Sequence, residues 1–260
     1  MSYDHEWYTR DYFLRPVNAS LHLGLLKVQD EAAALCYALG AAADFQAVER
    51  LLLGKEGEAC MFEVSSRPPG YVPAATTEFL EDTAVVRGES VRAQLERVRP
   101  HIKRRPRLVI DVGGGAGILC SALSYFEVPS VLFEPAASAA ELFAYTHEKS
   151  GLPQRHVRLV SELGALEGLL APLDTVIFCS SLEHLSETDR EALLALLVPR
   201  LQEHAGLLIV VNTPTNHPIA AGARDHISRV DDTLFAELAA RYQARIAYQH
   251  GAHLVLSWSR

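Results

Sequence analysis

The spacing of apolar and polar residues divides the chain near residue 105. Before that point most segments carry helical periodicity; after it, short apolar runs alternate with helical stretches, the rhythm of a parallel α/β sheet. Arg107–Val112, Ser130–Glu134, His156–Val160, Asp174–Cys179 and Gly206–Val211 read as five strands. Helices are expected over about 117–127 and 136–149, and from Ser186, where Ser186-Glu-Thr-Asp189 makes a capping box, to about Glu203. Asp231 or Asp232 caps another helix that runs to about Gln243, and Ala244–Trp258 reads as a hairpin turning at Gln249-His-Gly251. Five strand–helix units and a terminal hairpin predict an α/β fold: an open, doubly wound sheet with helices on both faces.

The N-terminal part reads differently. A short helix near Asp4–Leu14 carries Trp7, Tyr8, Tyr12 and Phe13. A Leu- and Ala-rich helix over Ser20–Leu39 precedes Gly40 as its C-cap, and a further helix covers Asp44–Leu53. Ser65–Pro73 is turn-rich, Thr76 or Thr77 opens helices that continue to Arg99, and Pro100 and Pro106 mark the boundary. The expected organisation is a helical N-terminal cap or lid over residues 1–104 and a sheet domain over 105–260.

Composition narrows the function classes. Of 260 residues, 49% are hydrophobic and 22% charged, as in ordinary globular proteins. No apolar run reaches the roughly 20 residues that span a bilayer, and the start, Met1-Ser-Tyr-Asp-His-Glu-Trp, lacks a secretory pattern. Cytoplasmic residence without a membrane partner is expected. The formal charge of −8 argues against a nucleic-acid surface; the one basic run, His101–Arg107, reads as a solvated linker. Cys36, Cys60, Cys120 and Cys179 lack metal or redox spacing and read as reduced, structural thiols.

The chemistry-bearing signal is Asp111-Val-Gly113-Gly-Gly115-Ala-Gly117, where a strand meets a helix. Glycines let the backbone turn sharply and approach a ligand, and the helix start offers free N–H groups. The spacing departs from a dinucleotide fingerprint, because Ile118 stands where the last glycine belongs. Asp111 would repel a diphosphate but suits the ammonium of an amino-acid moiety. Glu134, ending the second strand, can accept from both hydroxyls of a ribose. Together these favour an adenosyl ligand with an amino-acid tail.

On these residues the segment 107–258 resembles the class I S-adenosylmethionine-dependent methyltransferases. Val109–Gly117 is similar to that family's first motif, Val131–Pro135 to its second, and Asp174–Cys179 followed by Ser180-Ser-Leu-Glu-His-Leu185 to its fourth. The resemblance implies a Rossmann-like, seven-stranded, mostly parallel sheet ending in an antiparallel hairpin, with S-adenosylmethionine as cofactor. It implies that Asp111, Gly113, Gly114, Gly115 and Gly117 hold the methionine portion and Glu134 the ribose. Ser161 and Glu162 would flank the adenine, although Glu162 stands where the family often has Asp. Cys179 and Ser180 would border the cofactor at the end of the fourth strand. Residues 1–100 do not match the shared domain.

Methyl transfer to a hydroxyl usually calls for a general base. Candidates are His184 after the fourth strand, His226 in the long polar loop after the fifth, and Tyr12 of the N-terminal aromatic group; each has an equally simple reading in packing or solvation. His217, Arg224, His226 and Arg229 could engage an acidic acceptor. His217 and His226 with Asp225 could suggest a metal site, but they do not make a ligand set of firm spacing, so no metal is expected. The expected function is methyl transfer to a small-molecule acceptor, in natural-product or amino-acid-related metabolism. The alternative is transfer or cyclisation of the cofactor's aminopropyl (3-amino-3-carboxypropyl) arm, releasing methylthioadenosine. A nicotinamide-dependent oxidoreductase and a non-catalytic cofactor sensor are the further rivals.

Overall fold

The structure, a computed structural model, describes residues 31–44, 46–48, 51, 92, 95–115, 117–135, 140, 143–144, 147, 151–212 and 229–259. Their centre is a seven-stranded sheet: β1 (Val109–Val112), β2 (Ser130–Phe133), β3 (Val157–Val160), β4 (Thr175–Cys179), β5 (Leu207–Val211), β6 (Arg245–His250) and β7 (His253–Ser257). The spatial order is β3-β2-β1-β4-β5-β7-β6. The first five strands run parallel; β7 pairs antiparallel with β5 and with β6. β1, β2 and β4 are buried at every position, as apolar strands covered on both faces must be. The outer strands β3 and β6 alternate or are exposed. A register shift between Ile246 and Tyr248 interrupts the β6 edge and makes it a poorer template for another chain.

The expected strands all form, with ends displaced by a residue or two. Glu134 lies one step past β2, and Asp174 one step before β4. Asp111 lies inside β1, opposite Leu132 on one side and Ile177 on the other. Ser186 caps its helix by accepting from the Asp189 N–H at 3.1 Å. The reciprocal half of the capping box is replaced: Asp189 accepts from the Ser186 hydroxyl at 2.8 Å, not from its backbone. Asp231, rather than Asp232, caps the later helix through Thr233 N and Leu234 N, and that helix ends at Arg241.

Two apolar layers cover the sheet. On one face, helices Glu187–Glu203 and Asp232–Arg241 bury Leu193, Leu197, Leu201, Leu234 and Phe235 against Ile110, Val176, Phe178 and Leu208. On the other, the helix α1 (31–38) and the helix α2 (Ile118–Tyr125) pack on Val109, Ile177, Cys179, Ile209 and Val211. Every residue of α1 is buried, Glu31 included at 4% exposure. A helix apolar all round belongs inside a core. Thus 31–48 and 95–98, although N-terminal to the boundary expected at residue 105, share the sheet's core. Trp7, Tyr8, Tyr12 and Phe13 lie outside the described residues.

One side chain ties α1 to the sheet. Arg104 donates to Ala38 O at 3.1 Å, Asp174 O at 2.9 Å and Thr175 Oγ1 at 2.6 Å, and pairs with Asp174 Oδ1 at 3.2 Å. Burial pushes its pKa down while the Asp174 charge opposes the shift. The fork geometry of a guanidinium is needed to reach three acceptors on two elements. Arg104→Ala is expected to lower unfolding free energy by about 2–3 kcal/mol, and Arg104→Lys to recover only a minor part; chemical denaturation followed by circular dichroism reads both.

Candidate functional site

The strand order reverses between β1 and β4, the position at which doubly wound sheets bind ligands. The glycine loop leaves β1, and Ser180–Leu185 leaves β4. They meet: a Cβ placed on Gly113, whose φ is +69°, would lie 2.7 Å from Ser181 Cβ. Only glycine combines that backbone angle with that proximity. At Gly114 the limit comes from below, where a Cβ would fall on the Asp111 carboxylate and 2.6 Å from Leu132 Cδ1. The loop therefore sits as low as a backbone can over the strand ends.

Two bonds hold it there. Gly113 N donates to Phe133 O at 2.8 Å, and Gly115 N donates to Glu134 Oε2 at 3.1 Å. Glu134 is fully buried, so a charged acceptor fastens the loop away from solvent. Gly117 N turns back to Gly114 O at 3.0 Å, and Gly117 precedes α2 as its N-cap residue. The two motifs expected to bind one cofactor are thus parts of one hydrogen-bonded unit.

Asp111, 1% exposed, lies beneath this unit. The Cys120 thiol, one turn into α2, donates to Asp111 Oδ2 at 3.8 Å. Burial raises the Cys120 pKa, and the carboxylates of Asp111 and Glu31 push it in the same direction, so the thiol stays protonated and able to donate. Cys36, Cys120 and Cys179 are all buried and form no disulfide.

The remaining expected residues are distributed around this rim. Ser161 and Glu162 are exposed at the carboxyl end of β3, which Glu134 N joins by donating to Val160 O at 3.0 Å. Cys179 ends β4 but its side chain packs in the core on the α1 face, so it adds no side chain to the crevice. Ser180 turns the chain out of β4 with φ +48°, a left-handed angle that is costly for a residue with a Cβ and recurs at functional turns. Ser180 N donates to Val211 O at 2.9 Å, keeping the end of β4 against β5. His184 ends the short 3-10 turn Leu182–His184, with Nε2 3.8 Å from Oε1 of the buried Glu183. His226, His217, Arg224 and Asp225, like Tyr12, lie outside the described residues. Arg229 is described and pairs with Asp231 at 2.5 Å. Among the described residues no group of three or more His, Cys, Asp or Glu could hold a metal ion, and no helix is long and apolar enough to cross a membrane.

Two residues escaped the sequence reading. Ser181 and Asn212, 1% and 2% exposed, stand just beyond β4 and β5. The signal available was their position, a polar residue following a fully apolar strand within a crevice-forming turn.

No family model matches the chain, and no curated relative matches it. Solved structures resemble it at low identity. An O-methyltransferase family protein from Burkholderia thailandensis aligns with a TM-score of 0.49 and 13% identity over 71% of this chain and 59% of that one, so this chain spans about three fifths of that protein's length. An O-methyltransferase family 2 protein from Planctomyces limnophilus, in complex with apigenin, aligns at 0.45 and 18% over 96% and 85%. The S-adenosylmethionine-dependent methyltransferase SibL, in its apo form, aligns at 0.41 and 19% over 94% and 77%. None of these assigns an activity, a substrate or a residue to this chain.

Gly114→Ala is expected to displace the loop and cost about 1–3 kcal/mol of stability through overpacking, with faster amide hydrogen exchange at Gly113 and Gly115; unchanged exchange would show that the loop does not rest on Asp111. The sheet reverses order at β1/β4, closes with an antiparallel hairpin and carries the glycine loop at the reversal, which is the seven-stranded, mostly parallel Rossmann-like architecture expected from the sequence.

Proposed function

We propose that the chain is an S-adenosylmethionine-dependent methyltransferase whose acceptor is a small molecule. The observation that carries this reading is the buried Asp111 carboxylate under a loop whose Gly113 and Gly114 leave no room for a side chain. A fixed negative charge there repels a diphosphate and attracts an ammonium. Without side chains at Gly113 and Gly114 the loop packs directly on Ser181, Asp111 and Leu132, and bare backbone can be approached closely by a ligand. Glu134 supplies a carboxylate at the end of β2 for vicinal hydroxyls while it fastens Gly115.

When bound, the sulfonium cofactor supplies an already activated methyl group. The protein then has to orient the acceptor and keep water out, an arrangement worth on the order of 7–11 kcal/mol at best. Leu182 and Leu185, both buried, seal the β4 turn. In this reading His184 takes the proton of an acceptor hydroxyl, and the Glu183 carboxylate, 3.8 Å away, supports the imidazolium that results. The formal charge of −8 favours a metabolite over a nucleic acid as acceptor.

Ligand binding to the native state raises its melting temperature, so S-adenosylmethionine should stabilise the protein and NADH should not. Asp111→Asn and Glu134→Gln should each weaken S-adenosylmethionine binding about 10- to 100-fold, the value of a charged hydrogen bond, as read by calorimetry. Turnover should release S-adenosylhomocysteine; methylthioadenosine instead would assign the reaction to the aminopropyl arm. His184→Ala should lower kcat on hydroxyl acceptors by about 10²–10⁴-fold and leave cofactor affinity nearly unchanged.

A further inference from the structure

Ser181 and Asn212 are the first residues past the turn out of β4 and the end of β5, on adjoining strands that remain bonded through Ser180 N and Val211 O at 2.9 Å. Ser181 lies directly against Gly113 of the glycine loop. Both side chains are shut away from solvent, and Ser181 Oγ, Asn212 Oδ1 and Asn212 Nδ2 have no hydrogen-bond partner among the described residues. The Asn212 backbone is satisfied, its N–H donating to Ala252 O at 3.1 Å, so the unmet demand is confined to the carboxamide.

Burying a carboxamide with neither end paired costs free energy that an apolar residue of the same size would avoid. Nothing in the sheet requires that amide: β5 is apolar at all five positions and its ladder ends at Val211. Such an unmet pair beside a ligand-binding loop is the mark of a site whose partner is the ligand. We propose that Ser181 and Asn212 form the subsite that reads the acceptor, and that the group they take is neutral and presents both a hydrogen-bond donor and an acceptor, such as a carboxamide, a lactam edge or a hydroxyl beside a carbonyl. This rests on the methyl-transfer reading for the name acceptor, but the hydrogen-bonding demand does not.

The charge requirement follows from the surroundings. Asp111, Glu134 and Glu183 are buried carboxylates at the same end of the sheet, and a further anion would add to their repulsion. A carboxylate ligand would also leave Asn212 Oδ1 without a donor, and an ammonium would leave Asn212 Nδ2 without an acceptor. Only a group with both functions pairs the two ends of the amide at once.

The full chain, labelled with ¹⁵N, tests this. Benzamide, benzoate and benzylamine serve as probes, with and without S-adenosylhomocysteine. The readout is the Asn212 side-chain amide resonance, assigned by its loss in Asn212→Asp. Benzamide should shift that resonance, and the other two should not at equal concentration. Asn212→Leu should weaken benzamide binding about tenfold or more, leave S-adenosylhomocysteine affinity within about twofold, and raise the melting temperature of the ligand-free protein by about 2–4 °C, because an unpaired amide is replaced by an apolar isostere. Ser181→Ala should weaken benzamide about two- to tenfold. A lower melting temperature in Asn212→Leu, equal responses to all three probes, or none to benzamide would overturn the proposal. Absence of S-adenosylhomocysteine binding to the parent protein would instead remove the methyl-transfer reading, and the benzamide response measured without it would still decide the subsite.

Discussion

The site depends on a carboxylate held inside an interior strand of the sheet. Asp111 pairs through its backbone with strands on both sides and is 1% exposed, so its charge has lost nearly all of its water. That loss is tolerable only where donors replace the solvent. The thiol of Cys120 is one replacement, and burial keeps its proton in place. The carboxylate also excludes a side chain at Gly114, which forces the loop to lie flat across the ends of β1 and β2. Glu134 then fastens the loop from the neighbouring strand. The acid, the glycine and the second acid thus form one mechanical unit, and a change in one is felt by the other two.

Much of this was legible in the order of residues. Strands buried on both faces announce themselves as unbroken apolar runs, which is why Thr175–Cys179 and Leu207–Val211 are readable to within a residue. The same uniformity hides which way each side chain points: Cys179 looked available to the crevice because no alternation marks the core side of β4, and its side chain lies in the core. Helix caps were readable in kind but not in detail, since Asp231 and Asp232 are adjacent acids and only geometry distinguishes them. Ser181 and Asn212 were illegible for another reason. A polar residue in a polar turn looks solvated, and its burial comes from segments far away in sequence.

Among the described N-terminal residues, the apolar stretch of α1 lies in the core of the sheet. A Leu- and Ala-rich segment reads equally well as a cover over a site and as part of a core. Its placement is settled by Arg104, which reaches from the segment before β1 to the carbonyl of Ala38 and to the start of β4. Gly40 and Ala41 close α1 with backbone bonds to Tyr37 and Cys36, and Lys103 and Arg104 donate their N–H groups to Leu39 O. The end of α1 and the entrance to β1 are therefore stitched side by side, at the opposite end of the sheet from the glycine loop.

That stitch sets an order for the birth of the protein. The acceptors that Arg104 needs at Asp174 and Thr175, and the β4 and β5 residues that α1 packs against, emerge from the ribosome well over a hundred residues after α1 itself. Until then α1 can rest only on the nearer part of its final cover, Leu95, Val98, β1 and α2, because long-range parallel pairing is slow to form. During synthesis this helix therefore waits, half covered, for the strands that complete its bed.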